Sequence, residues 1–279
     1  SAQQYFHTFC GVLRVLMLFV AGVVVVAILL GKSPMTLFAG LGATSAVLML
    51  VFKDTILGLA AGVRLTSNDM LHKGDWITVK SVDANGIVED MSLTTVKVRN
   101  FDNTIVTISP ATLVNGSFQN WIGMQKSGGR RAKRIVYFDF RSIRLVDETL
   151  KQTLLAKHFA TEDSFKLKES LQKAIEKDIQ EGKDIEDLKN PAALAPTNLQ
   201  LYRRFMEKYL RQRPEVNTEL TLMVRHMEAT QCGLPIEFYF FIKDKVWVNY
   251  EHILADIMEH AYALANEFGL KIYEQYPEQ

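Results

Sequence analysis

The chain has 279 residues, 48% of them hydrophobic, and its 32 Lys and Arg against 31 Asp and Glu leave a formal charge of +1. Near-neutrality excludes an overall electrostatic pull toward nucleic acid, and two cysteines, Cys10 and Cys232, are too few for a disulfide or metal framework. The average conceals a division, because the first third is apolar and almost uncharged while the rest is rich in charge, so a membrane part is joined to a soluble part with room for two small domains.

The chain begins at Ser1 with neither an initiating Met nor a charged leader, so further membrane helices are expected ahead of it. Residues 11 to 30 supply about the 20 apolar residues needed to cross a hydrocarbon core of about 30 Å, with Arg14 able to snorkel at one end. Gly31-Lys32-Ser33-Pro34 predicts a tight turn, since Pro restrains the residue before it and suits the first turn of a new helix.

A second apolar stretch, residues 35 to 63, is too long for one straight perpendicular crossing, and the Lys53-Asp54 pair falls where a straight helix would leave the core. This predicts a bend at Lys53 and Asp54, with residues 35 to 52 crossing and residues 55 to 63 lying along the interface, Leu57, Ala60 and Ala61 facing apolar surroundings. Arg64, Lys73 and Lys80 then place the soluble part in the cytoplasm by the positive-inside bias. Small residues at Ala39, Gly42, Ala43, Ala46, Gly58 and Gly62 let helix backbones approach closely in a bilayer. Ala39, Gly42 or Ala43, Ala46, Leu50 and Lys53 are spaced three or four apart and form one stripe, small for most of its length and bulky at Leu50. Several copies around an axis would set a ring of leucines in a conduit, with Met49 as the alternative ring, and a narrow apolar ring excludes water and ions until it widens. Packing inside a single-chain bundle competes with this reading, but two spans alone cannot bury such a stripe.

From Asp75 the period falls to two. Trp76 to Val79, Ile87 to Leu93, Thr95 to Arg99 and Ile105 to Ile108 read as strands punctuated by Asp83-Ala84-Asn85-Gly86 and Asp102-Asn103, a small β-barrel or curled sheet finished by residues 116 to 121. Ser127-Gly128-Gly129 reads as a linker. A strand is predicted over residues 135 to 140, helices over 143 to 157, over 166 to 182 with Leu167, Leu171, Ile175 and Ile179 on one face, and over 199 to 211. Strands over 219 to 229 and 236 to 242, a helix over 250 to 268 stopped at Gly269, and a last strand over 270 to 273 complete the order β-α-(α-α)-β-β-α-β of a ferredoxin-like α/β sandwich with a helical insertion.

Candidate chemistry is sparse. His252, Asp256 and His260 share a helix face that could hold a metal, but the outer face of an amphipathic helix explains them as well. Cys232 lacks a second Cys or an activating cation nearby, and nothing resembles a nucleophile motif, a phosphate loop or paired catalytic carboxylates, so no enzyme and no cofactor are expected. The basic cluster Arg130, Arg131, Lys133 and Arg134, with Arg141 and Arg144, could contact nucleic acid, yet the near-zero net charge and the acidic helices close by favour a solvated charged face, with attraction of cytoplasmic ions or anionic headgroups as a third option.

The segment Gly40-Leu41-Gly42 through Lys53-Asp54-Thr55, then Gly58-Leu59-Ala60-Ala61-Gly62-Val63 and Gly74-Asp75-Trp76-Ile77, resembles the signature of the small-conductance mechanosensitive channel family. The likeness extends through Gly86-Ile87-Val88, Thr94-Thr95, Arg99, Asp102-Asn103, Ile108-Ser109-Pro110 and Asn115-Gly116 to Asn120, over about residues 35 to 140, with the miniconductance type most similar. The resemblance implies a homoheptamer in the bacterial inner membrane that opens under tension and releases ions and small solutes in hypoosmotic stress. It implies membrane lipids, further copies of the chain and permeating solutes as partners, and no nucleic acid. It also implies pore-facing Ala46 and Leu50 at the constriction, a bend at Lys53-Asp54, and a vestibule made of an Sm-like β-domain and the α/β domain. Ala46 stands where a bulky apolar residue often sits, leaving Leu50 or Met49 as the main ring, and Lys53 replaces the usual Gln, adding positive charge at the inner mouth and implying an anion preference.

The expected architecture is therefore a membrane α-helical region at 1–65, a cytoplasmic Sm-like β-barrel at 66–128 and a ferredoxin-like α/β domain at 129–279. A membrane-anchored scaffold whose barrel holds RNA or a protein partner is the rival, and a transporter is disfavoured because no polar pair lies at mid-membrane.

Overall fold

The structure, a computed structural model, describes residues 2–166, 173, 176, 177, 180–182 and 195–275, with side chains from Cys10 onward. Two compact units are present, Ser1–Trp121 and Ile122–Gln279. The expected helix with Leu167, Leu171, Ile175 and Ile179 falls on residues outside those described.

Two apolar helices open the first unit, α1 (Ala2–Leu29) and α2 (Pro34–Ser67), joined by a turn in which Gly31 takes the left-handed φ of 61°. Pro34 begins α2, where its missing N–H costs nothing. Both helices are long and apolar enough to cross a membrane. Along α1 and α2 up to Leu57 the described residues are exposed, except Val23, Val24, Ala27, Leu37 and Phe38 flanking the turn, so the hairpin is closed only at that end. The helical hydrogen bonding of α2 continues through Lys53 and Asp54, unbroken over its 34 residues. At 1.5 Å per residue α2 is about 50 Å long, well beyond a hydrocarbon core of about 30 Å.

The rest of this unit is a five-stranded antiparallel sheet of β1 (Trp76–Val79), β2 (Ala84–Met91), β3 (Val96–Asn100), β4 (Ile105–Ile108) and β5 (Gln119–Asn120), in the order β4-β3-β2-β1-β5, with the short helix α3 (Pro110–Asn115) between its last two strands. The expected barrel is corrected here. β4 and β5 are the two edges and do not pair, because β5 holds only two residues and its partners are Ile77 and Thr78 on β1. Ile77, Val79, Val88, Val96, Val98 and Ile108 form the core of this sheet together with Leu65, Leu71 and Leu113.

The second unit follows the short helix α4 (Ile122–Lys126) with a three-stranded antiparallel sheet, β6 (Arg130–Phe138), β7 (Met223–His226) and β8 (Leu234–Ile242), in the order β6-β8-β7. Helices α5 (Glu148–Ala156), α6 (Asn198–Gln212) and α7 (Trp247–Glu267) share one core with it. The expected fourth strand is reduced to one bridge, Phe138 to Ile272, on the free edge of β6, so the order along the sheet is that of a β-α-β-β-α-β unit with a vestigial last strand. Helix α5 starts at Glu148 rather than at residue 143, because Asp147 caps it by accepting from the N–H of Leu150 at 2.8 Å. Asn198, fully buried, ties the unit together: its amide donates to the carbonyls of Ser142 and Phe268, and its Oδ1 accepts from the N–H groups of Arg144 and Leu199.

Candidate functional site

Two features on α2 make up the site, a long unburied stretch and a buried end. In the unburied stretch Ala39, Gly42, Ala43, Ala46, Met49, Leu50 and Lys53 are all exposed, Leu50 to 76% and Met49 to 67%. An unpartnered apolar surface of this extent is stable only against lipid or another protein. Helical geometry brings Ala39, Gly42, Ala46, Leu50 and Lys53 onto one stripe, and Ala43 and Met49 flank it. Thr44 keeps the helix apolar outside by returning its hydroxyl to the carbonyl of Gly40 at 2.9 Å.

Among the described residues neither Lys53 nor Asp54 has an ion-pair partner, and adjacent residues on a helix point about 100° apart, so Asp54 does not neutralise Lys53 within one chain. Gly58 has nothing within 4 Å of where a Cβ would stand. The small residues of this stretch therefore leave open space in the isolated chain, available to a neighbour.

Beyond Ala60 the environment reverses. Ala61, Gly62 and Leu65 are buried, and Leu65 belongs to the core of the five-stranded sheet. A Cβ on Gly62 would stand 2.3 Å from the carbonyl oxygen of Leu93 in the turn between β2 and β3, so only glycine allows this approach of helix to turn. Gly62 thus packs α2 against its own β-domain, whereas Gly58 makes no such contact.

The connection from α2 to β1 is locked by Asp75. This buried carboxylate accepts from the N–H of His72 at 3.0 Å and from Nδ2 of Asn120 at 2.8 Å, and the same Nδ2 lies 3.3 Å from the carbonyl of Met70. The connection and β5 are therefore tied together through one side chain at the entry to β1. Next to it Trp76 stacks on Trp121 with ring centroids 4.5 Å apart, their indole N–H groups donating to Asn85 Oδ1 and Thr78 Oγ1. Gly86 admits the Arg99 carbonyl where a Cβ would lie 1.9 Å away, and Asp102 accepts from both N–H and hydroxyl of Thr104, which holds its carboxyl below the usual range. Leu65 and the Asp75-Asn120 pair were not singled out by sequence reasoning. The apolar spacing running on past Val63 was the available signal for Leu65, but 45 residues separate Asp75 from Asn120 and no pattern links them.

The remaining candidates do not come together. Tyr209 stacks on His260, whose Nδ1 sits 2.7 Å from the carbonyl of Asp256, and among the described residues no group of His, Cys, Asp and Glu could hold a metal. Cys10 and Cys232 are exposed free thiols in different units. The basic cluster is paired locally: Lys133 lies 3.3 Å from Glu237, Arg134 lies 3.8 Å from Glu251, Arg130 caps the Tyr250 ring at 4.4 Å and Arg131 the Tyr239 ring at 5.9 Å. Arg141 binds Asp139 at 2.8 Å and holds its carboxyl low, and Arg144 binds Asp147. Such paired cations are a poor phosphate track.

Residues 54–123 match the family model of the mechanosensitive ion channel β-domain. The small-conductance mechanosensitive channel MscMJ of Methanocaldococcus jannaschii is 34% identical over 84 residues, 30% of this chain and 23% of that protein. The large-conductance channel MscMJLR of the same organism is 29% identical over 141 residues, 50% of this chain and 38% of that protein. The chain thus spans well under half the length of these curated relatives. Among solved structures, Arabidopsis thaliana MSL1 aligns with a TM-score of 0.60 at 12% identity, covering 94% of this chain and 74% of that one. The closed state of Helicobacter pylori MscS aligns at 0.54 and 13% identity, covering 96% and 81%. At such identity these two speak for the fold, apolar N-terminal helices followed by a β-rich domain.

Proposed function

We propose that this chain, a member of the small-conductance mechanosensitive channel family by its β-domain at residues 54–123 and its relatives, is one subunit of an ion channel opened by membrane tension. It releases ions and small solutes when a bacterial cell swells in dilute medium. One observation carries this reading: α2 is a membrane-length helix whose small-residue stripe from Ala39 to Leu50 is wholly exposed in the single chain, while its other end is built into a folded domain.

In the proposed assembly seven copies set their α2 stripes around an axis in the inner membrane, with Ala39, Gly42, Ala43 and Ala46 lining the conduit. Leu50 forms the apolar ring that keeps the closed pore dry, with Met49 beside it. Lys53 rings the inner mouth, and Arg64, Lys73 and Lys80 orient the β and α/β domains into the cytoplasm. The large α/β unit supports the miniconductance type within the family. α1 faces lipid and bears the tension. Tension does work in proportion to the area gained, so a state with wider-spaced α2 helices is favoured by the differential work. Gly62 and Leu65 transmit the displacement of α2 to the sheet because neither contact leaves space for slip.

Recording from the purified protein in liposome patches under suction tests the proposal. Stepwise currents above a suction threshold are expected, and silence up to patch rupture would contradict it. In a salt gradient the reversal potential should favour anions, and Lys53→Gln should shift it toward zero; no shift removes the role of Lys53.

A further inference from the structure

Between the end of α5 and the flank of α6 lies an open cavity of about 370 Å³ lined by Arg204, Lys208 and His158. We propose that it binds a small phosphate monoester carried on an apolar or aromatic group. Arg204 and Lys208, one turn apart on α6, reach the same side of that helix and line the cavity together with His158. Among the described residues none of the three has an acidic partner. The carboxylates nearby are engaged: Glu162 lies 3.8 Å from Lys151, Asp163 2.6 Å from Lys166, Glu267 binds Lys157, and Glu207 accepts from the N–H of Val224. This contrasts with the paired cluster on β6. These two exposed cations match in charge the dianion of a phosphate monoester near neutral pH.

Thr161 and Ser164 line the same cavity with their hydroxyls engaged in a local capping box, 3.2 Å apart, and Phe159 and Phe205, edge to face at 5.2 Å, offer an apolar wall to the rest of the ligand. His158 stands just past Lys157, the cap residue of α5, with a left-handed φ of 59°, where its N–H bonds to the carbonyl of Leu155 and that of Phe159 to the carbonyl of Leu154. Glycine is the usual occupant of that place, because a Cβ there is strained. Histidine tolerates this backbone better than most residues, and here it sets His158 among the residues that line the cavity beside Arg204 and Lys208.

Calorimetric titration of the full-length purified protein with phenyl phosphate, inorganic phosphate and phenol tests the assignment. Saturable binding of phenyl phosphate is expected, tighter than that of inorganic phosphate, with phenol not bound. The double variant Arg204→Gln, Lys208→Gln should weaken it about tenfold or more, as loss of charge-assisted hydrogen bonds does. His158→Gly should melt no lower than the wild type and still bind phenyl phosphate several-fold more weakly, which separates a ligand role from a folding role. Absence of saturable binding at millimolar concentrations, an affinity unchanged in the double variant, or inorganic phosphate bound as tightly as phenyl phosphate would overturn it.

Discussion

The two ends of α2 are one continuous helix with opposite surroundings. From Ala39 to Leu57 every side chain is exposed, whereas Ala61, Gly62 and Leu65, a few residues on, are packed as tightly as a protein interior. The difference separates what the chain stabilises by itself from what it leaves for lipid and for other copies. Substitutions at the buried end should lower the stability of the subunit, and substitutions in the exposed stretch should act on conduction alone. The α/β unit belongs with the buried end: Tyr202 is fully buried with its hydroxyl donating to the Ala261 carbonyl at 2.6 Å, and burial pushes that phenol well up. Even the carboxylate of Glu237, fully buried on β8, is matched by Arg225 at 2.6 Å and Lys133 at 3.3 Å.

The largest effect expected on stability is at Leu65. Leu65→Ala removes a fully buried side chain from the β-domain core and should cost about 2 to 5 kcal/mol, read as a lowered denaturation midpoint of the purified protein. Gly62→Ala forces a methyl group against the Leu93 carbonyl and should cost about 1 to 3 kcal/mol, while Gly58→Ala, meeting open space, should change stability by less than about 1 kcal/mol. Equal costs at the two glycines would erase the distinction between the ends of the helix.

Glu237 gives the same contrast a pH dependence. Hydrogen bonding from Arg225 holds its carboxyl below the ordinary glutamate value, with Lys133 adding to it. A depressed value means that the pair stabilises the fold above the unfolded-state value of about 4.3, and that this contribution fades as pH falls through the lower folded-state value. Glu237→Gln should therefore cost about 1 to 3 kcal/mol at neutral pH and progressively less below pH of about 4, measured as melting temperature against pH. A constant difference at all pH values would show that the pair does not set the stability.

Much of this was legible in the sequence because local chemistry decides it. The turns at Asp83 and Asn103 adopt left-handed backbone at φ 52° and 69°, and Gly269 closes α7 at φ 67°, as their residue types suggest. The two apolar spans follow directly from composition and length, and β1 from the change of period that begins at Asp75. The edges of the sheets were not legible, since whether β4 meets β5 depends on long-range pairing that two residues of β5 cannot extend. Nor was the fourth strand of the α/β unit, which shrinks to the Ile272 bridge, for strand propensity says nothing about pairing length. Of the candidate site, the stripe from Ala39 to Lys53 could be read from periodicity. The Asp75-Asn120 tie and the docking of Gly62 on Leu93 could not, because each joins residues distant in the chain.

The smallest effect on stability and the largest on conduction are expected at Leu50, which the single chain leaves 76% exposed. Suction recordings comparing Leu50→Ser with wild type in the same liposomes test the central claim most directly. The variant should fold with an unchanged denaturation midpoint and open at clearly lower suction, because a hydroxyl ring wets where a leucine ring stays dry. A Leu50→Ser channel that needs the same suction as wild type would contradict Leu50 as the gate.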